Sequence, residues 1–287
     1  ASCLVGSEMC IRDRLYIVST PIGNLEDISL RAIETIKNSD IVLCEDTRRS
    51  LKLLNHLKIS KKLVSYHKFN EKKELSKIIQ YLNEGKIVSL ISDAGTPVLS
   101  DPGNILINEC IKKNLKIIPV PGSSAITAAM CVSGFEDQFL FFGFLPKTEK
   151  ETDKTILSLK DVKFSIIFFI PGIKINFYLK FFKKYFSERN IMIAREMTKI
   201  HETFYRKKVE EINMFKTPLK GELTVVISKK NNKTKIIDYE NIKKQIQKYI
   251  KKYTIKDTVD LILSKEKMSK KLIYKMCLDI KKNEKTN

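Results

Sequence analysis

Two loops carry the residues best suited to holding a ligand. The segment Ser92-Asp93-Ala94-Gly95-Thr96-Pro97-Val98-Leu99-Ser100-Asp101-Pro102-Gly103 follows directly on the apolar run Ile87–Ile91. Gly95 and Gly103 permit close backbone approach, and Pro97 and Pro102 stiffen the chain around them. Asp93 is a candidate acceptor for a ribose hydroxyl or an amino group. The second loop, Pro119-Val120-Pro121-Gly122-Ser123-Ser124-Ala125, leads from a strand into a helix. Small residues at a helix start leave backbone N–H groups open to a ligand. The same residues would also serve a tight turn and close helix–sheet packing, so both uses stay open. Neither loop matches G-x-G-x-x-G or G-x₄-G-K-[ST], which removes the signatures of nicotinamide dehydrogenases and P-loop enzymes. Cysteines 3, 10, 44, 110, 131 and 277 stand singly and the three histidines show no H-x₃-H spacing, so no metal site and no disulfide framework is expected.

The elements that must position these loops follow from apolar patterning. Leu15–Ser19, Ile41–Cys44, Ile87–Ile91 and Leu115–Val120 are short runs of strand formers. Between them, Leu30/Ile33/Ile36, Leu75/Ile78/Ile79/Leu82 and Ile105–Lys113 keep helical spacing, with Ser29 as an N-cap. Continuous apolar strands alternating with helices predict a mostly parallel sheet covered on both faces, with ligands at the carboxyl ends of its strands. The aromatic-rich stretch 135–146 marks a boundary. A second α/β unit follows: helices at Glu149–Leu159, Ile175–Phe186 and Val209–Met214, and strands at Phe164–Phe169, Ile191–Arg195 and Gly221–Ser228. Asn231-Asn232 reads as a linker. Beyond it Ile242, Ile246, Tyr249, Ile250 and then Val259, Ile262, Leu263, Leu272, Ile273, Met276 keep helical spacing. The expected organisation is an extension at 1–14, α/β domains at 15–134 and 135–230, and a helical, basic domain at 238–282.

The chain carries 53 Lys+Arg against 33 Asp+Glu, a net charge of +20. An AT-rich genome alone would enrich lysine, since only 8 of the basic residues are Arg. The distribution is uneven, however: residues 229–287 hold 18 Lys and 7 acidic residues, so +11 of the charge sits in the last fifth. A polyanion partner, most simply nucleic acid, accounts for that concentration. The longest apolar stretch, 164–173, is half of the roughly twenty residues a bilayer-spanning helix needs, and no secretory signal is evident. A cytoplasmic, non-membrane protein is expected.

Taken together the motifs carry a resemblance. L-Y-I-V-S-T-P-I-G-N-L-E-D-I-S-L-R-A at 15–32, C-E-D-T-R at 44–48, S-D-A-G-T-P-V-L-S-D-P-G at 92–103 and P-V-P-G-S-S-A at 119–125 are ordered as in one family. So are G-F-L-P at 143–146, A-R-E-M-T-K at 194–199, H-E-T at 201–203 and G-E-L-T-V-V-I at 221–227. Over about residues 15–280 the chain resembles the ribosomal RNA small subunit methyltransferase I family of the tetrapyrrole methylase superfamily. The resemblance implies two α/β domains, a homodimer, and S-adenosylmethionine held in the cleft between the domains without a metal. It implies methylation of a cytidine ribose 2′-hydroxyl in the decoding region of 16S rRNA, on free rRNA or the assembled 30S subunit. By motif position the cofactor contacts are Pro21, Asp93, Ala94, Gly95, Thr96, Leu99, Ser123, Ser124, Ala125, Ala194 and Leu223.

A sulfonium is already an activated methyl donor, so the enzyme must chiefly align it with the hydroxyl. A ribose hydroxyl is a weak nucleophile, and a positioned base would help. Asp46, Asp93 and Glu196 are the candidates, though Asp46–Arg48 and Glu196–Arg195 would equally form structural ion pairs. Arg48, Arg195 and Lys199, with Lys270, Lys271 and Lys275 in the tail, are candidate RNA contacts. One segment departs from the family's Y-E-S-P-H-R-like run. Here it is Phe169-Ile170-Pro171-Gly172-Ile173-Lys174, which predicts weakened activity. The alternatives are a methylase acting on a small tetrapyrrole, and a non-catalytic rRNA-binding relative.

Overall fold

The computed structural model describes residues 14–230, 239–264 and 268–283; residues 1–13 of the expected 1–14 extension and the linker Asn231-Asn232 lie outside them, while Arg14 is corrected from the extension to the first strand, where it pairs with Ile87. The first sheet comprises β1 (Arg14–Val18), β2 (Ile41–Cys44), β3 (Lys62–Ser65), β4 (Ile87–Ile91) and β5 (Lys116–Val120). Its order is β3-β2-β4-β1-β5 and every pairing is parallel, as expected. The helices α1 (Leu30–Asn38), α2 (Thr47–His56), α3 (Glu71–Asn83) and α4 (Asn104–Lys112) connect successive strands, and α5 (Ala125–Ser133) follows β5. Ser29 caps α1, its hydroxyl accepting the Ala32 N–H at 3.1 Å. Leu15, Leu43 and Leu90 pack with Ile78, Leu82 and Leu106 on one face; Val18, Val42 and Ile91 pack with Ile36 and Leu54 on the other. Burial on both faces is why these strands read as unbroken apolar runs.

The second sheet comprises β6 (Phe139–Phe144), β7 (Ser165–Pro171), β8 (Asn190–Arg195), β9 (Thr203–Lys208) and β10 (Glu222–Ile227), ordered β6-β7-β10-β8-β9. Helices α6 (Glu149–Ser158) and α7 (Ile175–Phe186) cover it. The expectation of a mostly parallel sheet is corrected here. Only β6–β7 is parallel; β7–β10, β10–β8 and β8–β9 are antiparallel. The segment 196–202 joining β8 to β9 is too short for a crossover, which takes about a dozen residues. The chain then returns β10 between β7 and β8, which α7 had already set running the same way. A strand buried on both faces looks alike in either direction, so the pattern alone does not reveal this.

A second correction concerns Val209–Met214, which is a turn and not a helix. The Lys208 carbonyl accepts the N–H groups of Glu211 and Ile212, one turn's worth, while Val209 and Ile212 anchor in the core. Asn176 on α7 then captures Phe215 in both directions, Oδ1 accepting its N–H at 2.9 Å and Nδ2 donating to its carbonyl at 2.8 Å. That exchange draws the chain out of helical geometry.

The C-terminal residues form a separate compact unit of α8 (Tyr239–Ile250), α9 (Ile255–Leu263) and α10 (Lys270–Asn283). Its core is Ile242, Ile246, Val259, Ile262, Ile273 and Cys277. Thr254 caps α9 by accepting the Asp257 N–H at 3.3 Å. Leu272, expected on the apolar face, is exposed instead, and Cys277 four residues after Ile273 completes the buried stripe. Among the described residues no helix is long and apolar enough to cross a membrane.

Candidate active site

The parallel first sheet delivers the loops after β1, β2, β4 and β5 to one edge. Thr20, just past β1, and Gly95, past β4, exchange two backbone hydrogen bonds, at 2.8 Å and 3.0 Å. The Thr20 hydroxyl donates to the Ser92 carbonyl at 3.1 Å, and the Ser92 hydroxyl donates to the Gly95 carbonyl at 2.9 Å. Thr96 Oγ1 lies 3.1 Å from the Ser19 hydroxyl and 3.3 Å from the Ser123 carbonyl, tying in the loop after β5. Gly122 has the packing role: a Cβ there would stand 2.9 Å from Ser19 Cβ. Gly95 has a φ of +80°, and its missing side chain would have faced Ile22 at 3.3 Å.

Further along the same loop, Val98, Ser100 and Gly103 have φ values of 75°, 72° and 134°. A β-branched residue in the left-handed region is a genuine outlier, and such strain gathers at functional sites. Two contacts hold it. The buried carboxylate of Glu71 on α3 accepts the Gly103 N–H at 2.6 Å. Gly143 in β6 lets Ser100 approach, since a Cβ there would lie 3.1 Å from Ser100 Oγ.

These loops face β7, β8 and β10 across a cavity of about 520 Å³. The size suits a small-molecule ligand. Of the expected cofactor contacts, Asp93, Ala94, Gly95, Thr96, Leu99, Ser124, Ala125, Ala194 and Leu223 line it. Pro21 is buried beside Thr20, and Ser123 stands behind the wall with its hydroxyl donating to the Asp27 carbonyl at 3.0 Å. Ile22, Glu45, Arg49, Asp101, Phe144, Phe169 and Glu222 also line the cavity and were missed. Asp101 sat inside a motif already singled out. Glu222 and Phe169 are brought in by the mixed second sheet, which sequence pattern did not resolve.

The three candidate bases fare differently. Asp46 lies off the cavity lining and caps α2, its carboxylate accepting the Arg48 N–H at 2.9 Å and pairing with the Arg48 guanidinium at 2.8 Å. These hydrogen bonds hold its pKa down at about 2. Asp93 accepts the Asp46 N–H at 3.1 Å and pairs with Arg49 at 3.3 Å, so it organises the loop after β2. Glu196, with a φ of 51°, pairs with Lys199 at 2.9 Å and accepts the Glu222 N–H at 3.4 Å. Burial opposes its ionisation, but the Lys199 hydrogen bond and charge outweigh that and leave its pKa lowered. Asp101 behaves oppositely. Burial, and then the negative charges of Glu45, Asp93 and Glu222, push its pKa up to about 7.

The candidate RNA contacts are scattered. Arg48 is occupied by Asp46, Arg195 Nε donates to the Lys220 carbonyl at 3.1 Å, and Lys199 sits on the cavity wall. In the C-terminal unit Lys271 and Lys275 are exposed on α10 and Lys270 pairs with Asp260 at 3.4 Å. Among the described residues no three His, Cys, Asp or Glu side chains converge as a metal site.

The model of the Tetrapyrrole (Corrin/Porphyrin) Methylases family matches residues 14–213. The chain is 42% identical to "Ribosomal RNA small subunit methyltransferase I" of Rickettsia prowazekii, over 93% of this chain and 96% of the relative. It is 46% identical to the protein of the same name from Thermotoga maritima, over 76% of this chain and 99% of the relative. The chain belongs to the tetrapyrrole methylase family. Within that family it falls in the ribosomal RNA small subunit methyltransferase I group. Among solved structures, a diphthine synthase covers 75% of this chain with a TM-score of 0.58 at 16% identity, and the methyltransferase CobJ gives 0.57 at 14%. These share the two-sheet fold.

The departing run at 169–174 now has a structural setting. The Ile170 side chain is 1% exposed and packs in the core with Phe168, Ile175 and Leu223, while Phe169 turns to the opposite face of the sheet. An apolar residue occupies an apolar place. Ile170→Glu is expected to lower unfolding stability by at least about 2 kcal/mol, because it buries a carboxyl without a built partner; urea unfolding at pH 7 checks this, and an unchanged midpoint would refute it.

Proposed function

We propose that this methyltransferase transfers a methyl group from S-adenosylmethionine to the 2′-hydroxyl of a cytidine in the decoding region of 16S rRNA. The observation that carries the reading is the chemistry of the cavity. Five carboxylates, Glu45, Asp93, Asp101, Glu196 and Glu222, line it against two cations, Arg49 and Lys199. Such an excess of negative charge suits a ligand with positive sulfonium and ammonium centres. Ile22, Ile126, Phe169 and Leu223 offer apolar wall to a flat base, and Gly95 leaves room for close backbone approach. The residues present therefore fit the cofactor. When bound, S-adenosylmethionine supplies a methyl group already activated on sulfur. The protein's part is to hold the acceptor hydroxyl in line, keep water out and take up a proton.

The rRNA assignment draws on the relatives' names and on the basic C-terminal unit, where Lys270, Lys271 and Lys275 share one side of α10 with exposed Tyr274. In this reading the lobes at 15–134 and 135–230 hold the donor, and the helical domain at 238–282 grips the phosphates of the assembled 30S subunit in the cytoplasm. Arg48, Arg195 and Lys199 position the RNA near the cavity mouth. The chain works as a homodimer. Supporting this, the edge strand β6 exposes Phe139, Leu140 and Phe142, apolar surface that a second copy would cover.

Three measurements bear on this reading. Purified 30S subunits incubated with the protein and S-adenosylmethionine should gain 2′-O-methylcytidine in 16S rRNA by nucleoside mass mapping; methylation of a base would overturn it. Gly95→Leu should weaken S-adenosylmethionine binding at least about tenfold in calorimetry, since a branched side chain at a φ of +80° crowds the cavity wall. Replacing Lys270, Lys271 and Lys275 together by Gln should flatten the salt dependence of RNA binding by a log–log slope of about 2, at roughly 0.7 for each single-strand phosphate contact. An unchanged slope would move the RNA surface to Arg48, Arg195 and Lys199.

A further inference from the structure

We propose that Phe69, on the loop after β3, is a stacking platform that receives an unpaired base of the acceptor RNA beside the cavity. The inference rests on the rRNA reading above and adds to it where the strand lies and what holds it. Phe69 is 95% exposed, whereas the other exposed Phe rings reach at most 53%. A single exposed apolar side chain is ordinary on a protein surface. The backbone beneath this one, its place and its neighbours set it apart.

The turn that carries the ring is closely held. Asn70 Oδ1 accepts the His67 N–H at 2.7 Å, and Asn70 Nδ2 donates to the Ser65 carbonyl at 2.9 Å. The His67 carbonyl accepts the N–H groups of Asn70 and Glu71 at 2.9 Å and 3.1 Å, and His67 Nδ1 accepts the Phe69 N–H at 3.3 Å. The His67 and Phe69 rings meet edge to face with centroids 6.1 Å apart. A ring presented to solvent from so fixed a turn loses little freedom when a ligand covers it.

The turn also lies at the rim of the cavity. Strand β3 runs parallel to β2, as β2 does to β4, so its exit is at the same edge as the cavity loops. Glu45, just past β2 on the cavity lining, stands within electrostatic reach of both Arg49 and His67. The Arg49 side chain lines the cavity and is 68% exposed, so the cavity meets solvent on this side. Phe69 joins that rim through its contact with His67 and does not itself line the cavity.

The charge around the ring suits a polyanion. Lys68, Lys72 and Lys73 are exposed, and among the described residues none of them has a carboxylate partner. The acidic neighbours are withdrawn: Glu71 is buried against the Gly103 N–H and Glu74 is half-buried. An aromatic face among free lysines takes single-stranded nucleic acid, since every base offers a π-face and the cations meet the phosphates between bases. Bringing one nucleotide to a donor inside a cavity unstacks it from its neighbours. The Phe69 ring replaces part of the stacking lost in that step.

The chain contains no Trp, so Phe69→Trp supplies a single indole that reports stacking directly. The full-length protein is titrated with a short single-stranded RNA of decoding-region sequence and, for affinity, with 30S subunits. Phe69→Trp should bind RNA as the parent does, and its fluorescence should fall on binding because a stacked base quenches indole. Phe69→Ala should weaken RNA binding about five- to 150-fold, the loss of one base stacked on an aromatic ring. Phe69→Leu, apolar but without a π-face, should resemble Phe69→Ala. In both, the KM for 30S subunits should rise while S-adenosylmethionine affinity by calorimetry stays within about twofold of the parent. Parent-like RNA affinity in Phe69→Ala would overturn the assignment, as would an indole that stays bright while RNA binds. Weakened self-association in sedimentation, with RNA affinity unchanged, would give the ring to a second copy of the chain instead. Failure of the function reading has a different signature: RNA that binds and quenches the indole, yet gains no ribose methyl from the parent, would keep the platform and remove the reaction.

Discussion

The backbone exchange between Thr20 and Gly95 is the interaction on which the site depends. It joins the exits of β1 and β4, neighbours at the centre of the parallel sheet, and thereby turns two separate loops into one wall. The exchange requires Gly95 in the left-handed region, where a side chain would be strained and would press on Ile22. The Thr20 and Thr96 hydroxyls supply donors to the Ser92 and Ser123 carbonyls, and the Ser92 hydroxyl adds a second donor to the Gly95 carbonyl. With that wall in place, Asp93 can reach back to the Asp46 N–H and set the start of α2, and the remainder of the loop can cross towards the second sheet.

Charge is divided between surfaces. The chain as a whole is strongly basic, yet the cavity collects five carboxylates and only two cations. A basic exterior draws in a polyanion over distances limited by the Debye length, while an acidic interior favours a cationic donor at contact range. The two preferences do not compete, because the cavity carboxylates mostly have partners of their own. Asp93 is paired with Arg49, and Glu196 is held ionised by Lys199. Asp101 stands apart because its neighbours all carry its own sign.

Strain and support are also paired. Val98, Ser100, Glu196 and Thr198 adopt left-handed conformations on the two sides of the cavity. Each side has an anchor from outside its own loop: Glu71 holds Gly103, and the Asn24 N–H donates to Thr198 Oγ1 at 3.0 Å. The second of these links the loop after β1 to the loop after β8, so the walls of the cleft are joined at its base as well as facing one another.

The first sheet was legible because its central strands β2 and β4 are buried on both faces and the crossovers α1, α3 and α4 keep a helical period, so period and length together determine a parallel α/β unit. The loops at 92–103 and 119–125 were legible as ligand-facing for the same reason, since parallel strands send their carboxyl ends to one edge. The short edge strand β3 and the charged helix α2 escaped notice, because half-exposed elements dilute the apolar pattern that marks the rest. Strand direction in the second sheet was not legible either. Continuous apolar runs such as Ile191–Ala194 and Leu223–Ile227 report burial and carry no arrow, so only the folded connections placed β10 antiparallel between β7 and β8. The same holds for the roles of the carboxylates. Sequence spacing set Asp46 and Glu196 beside basic residues, gave Asp93 no such neighbour, and did not say which pairs would close. The tertiary structure closed all three and left Asp101 among like charges, because burial and charge distance are properties of the packed cleft and not of the order of residues along the chain.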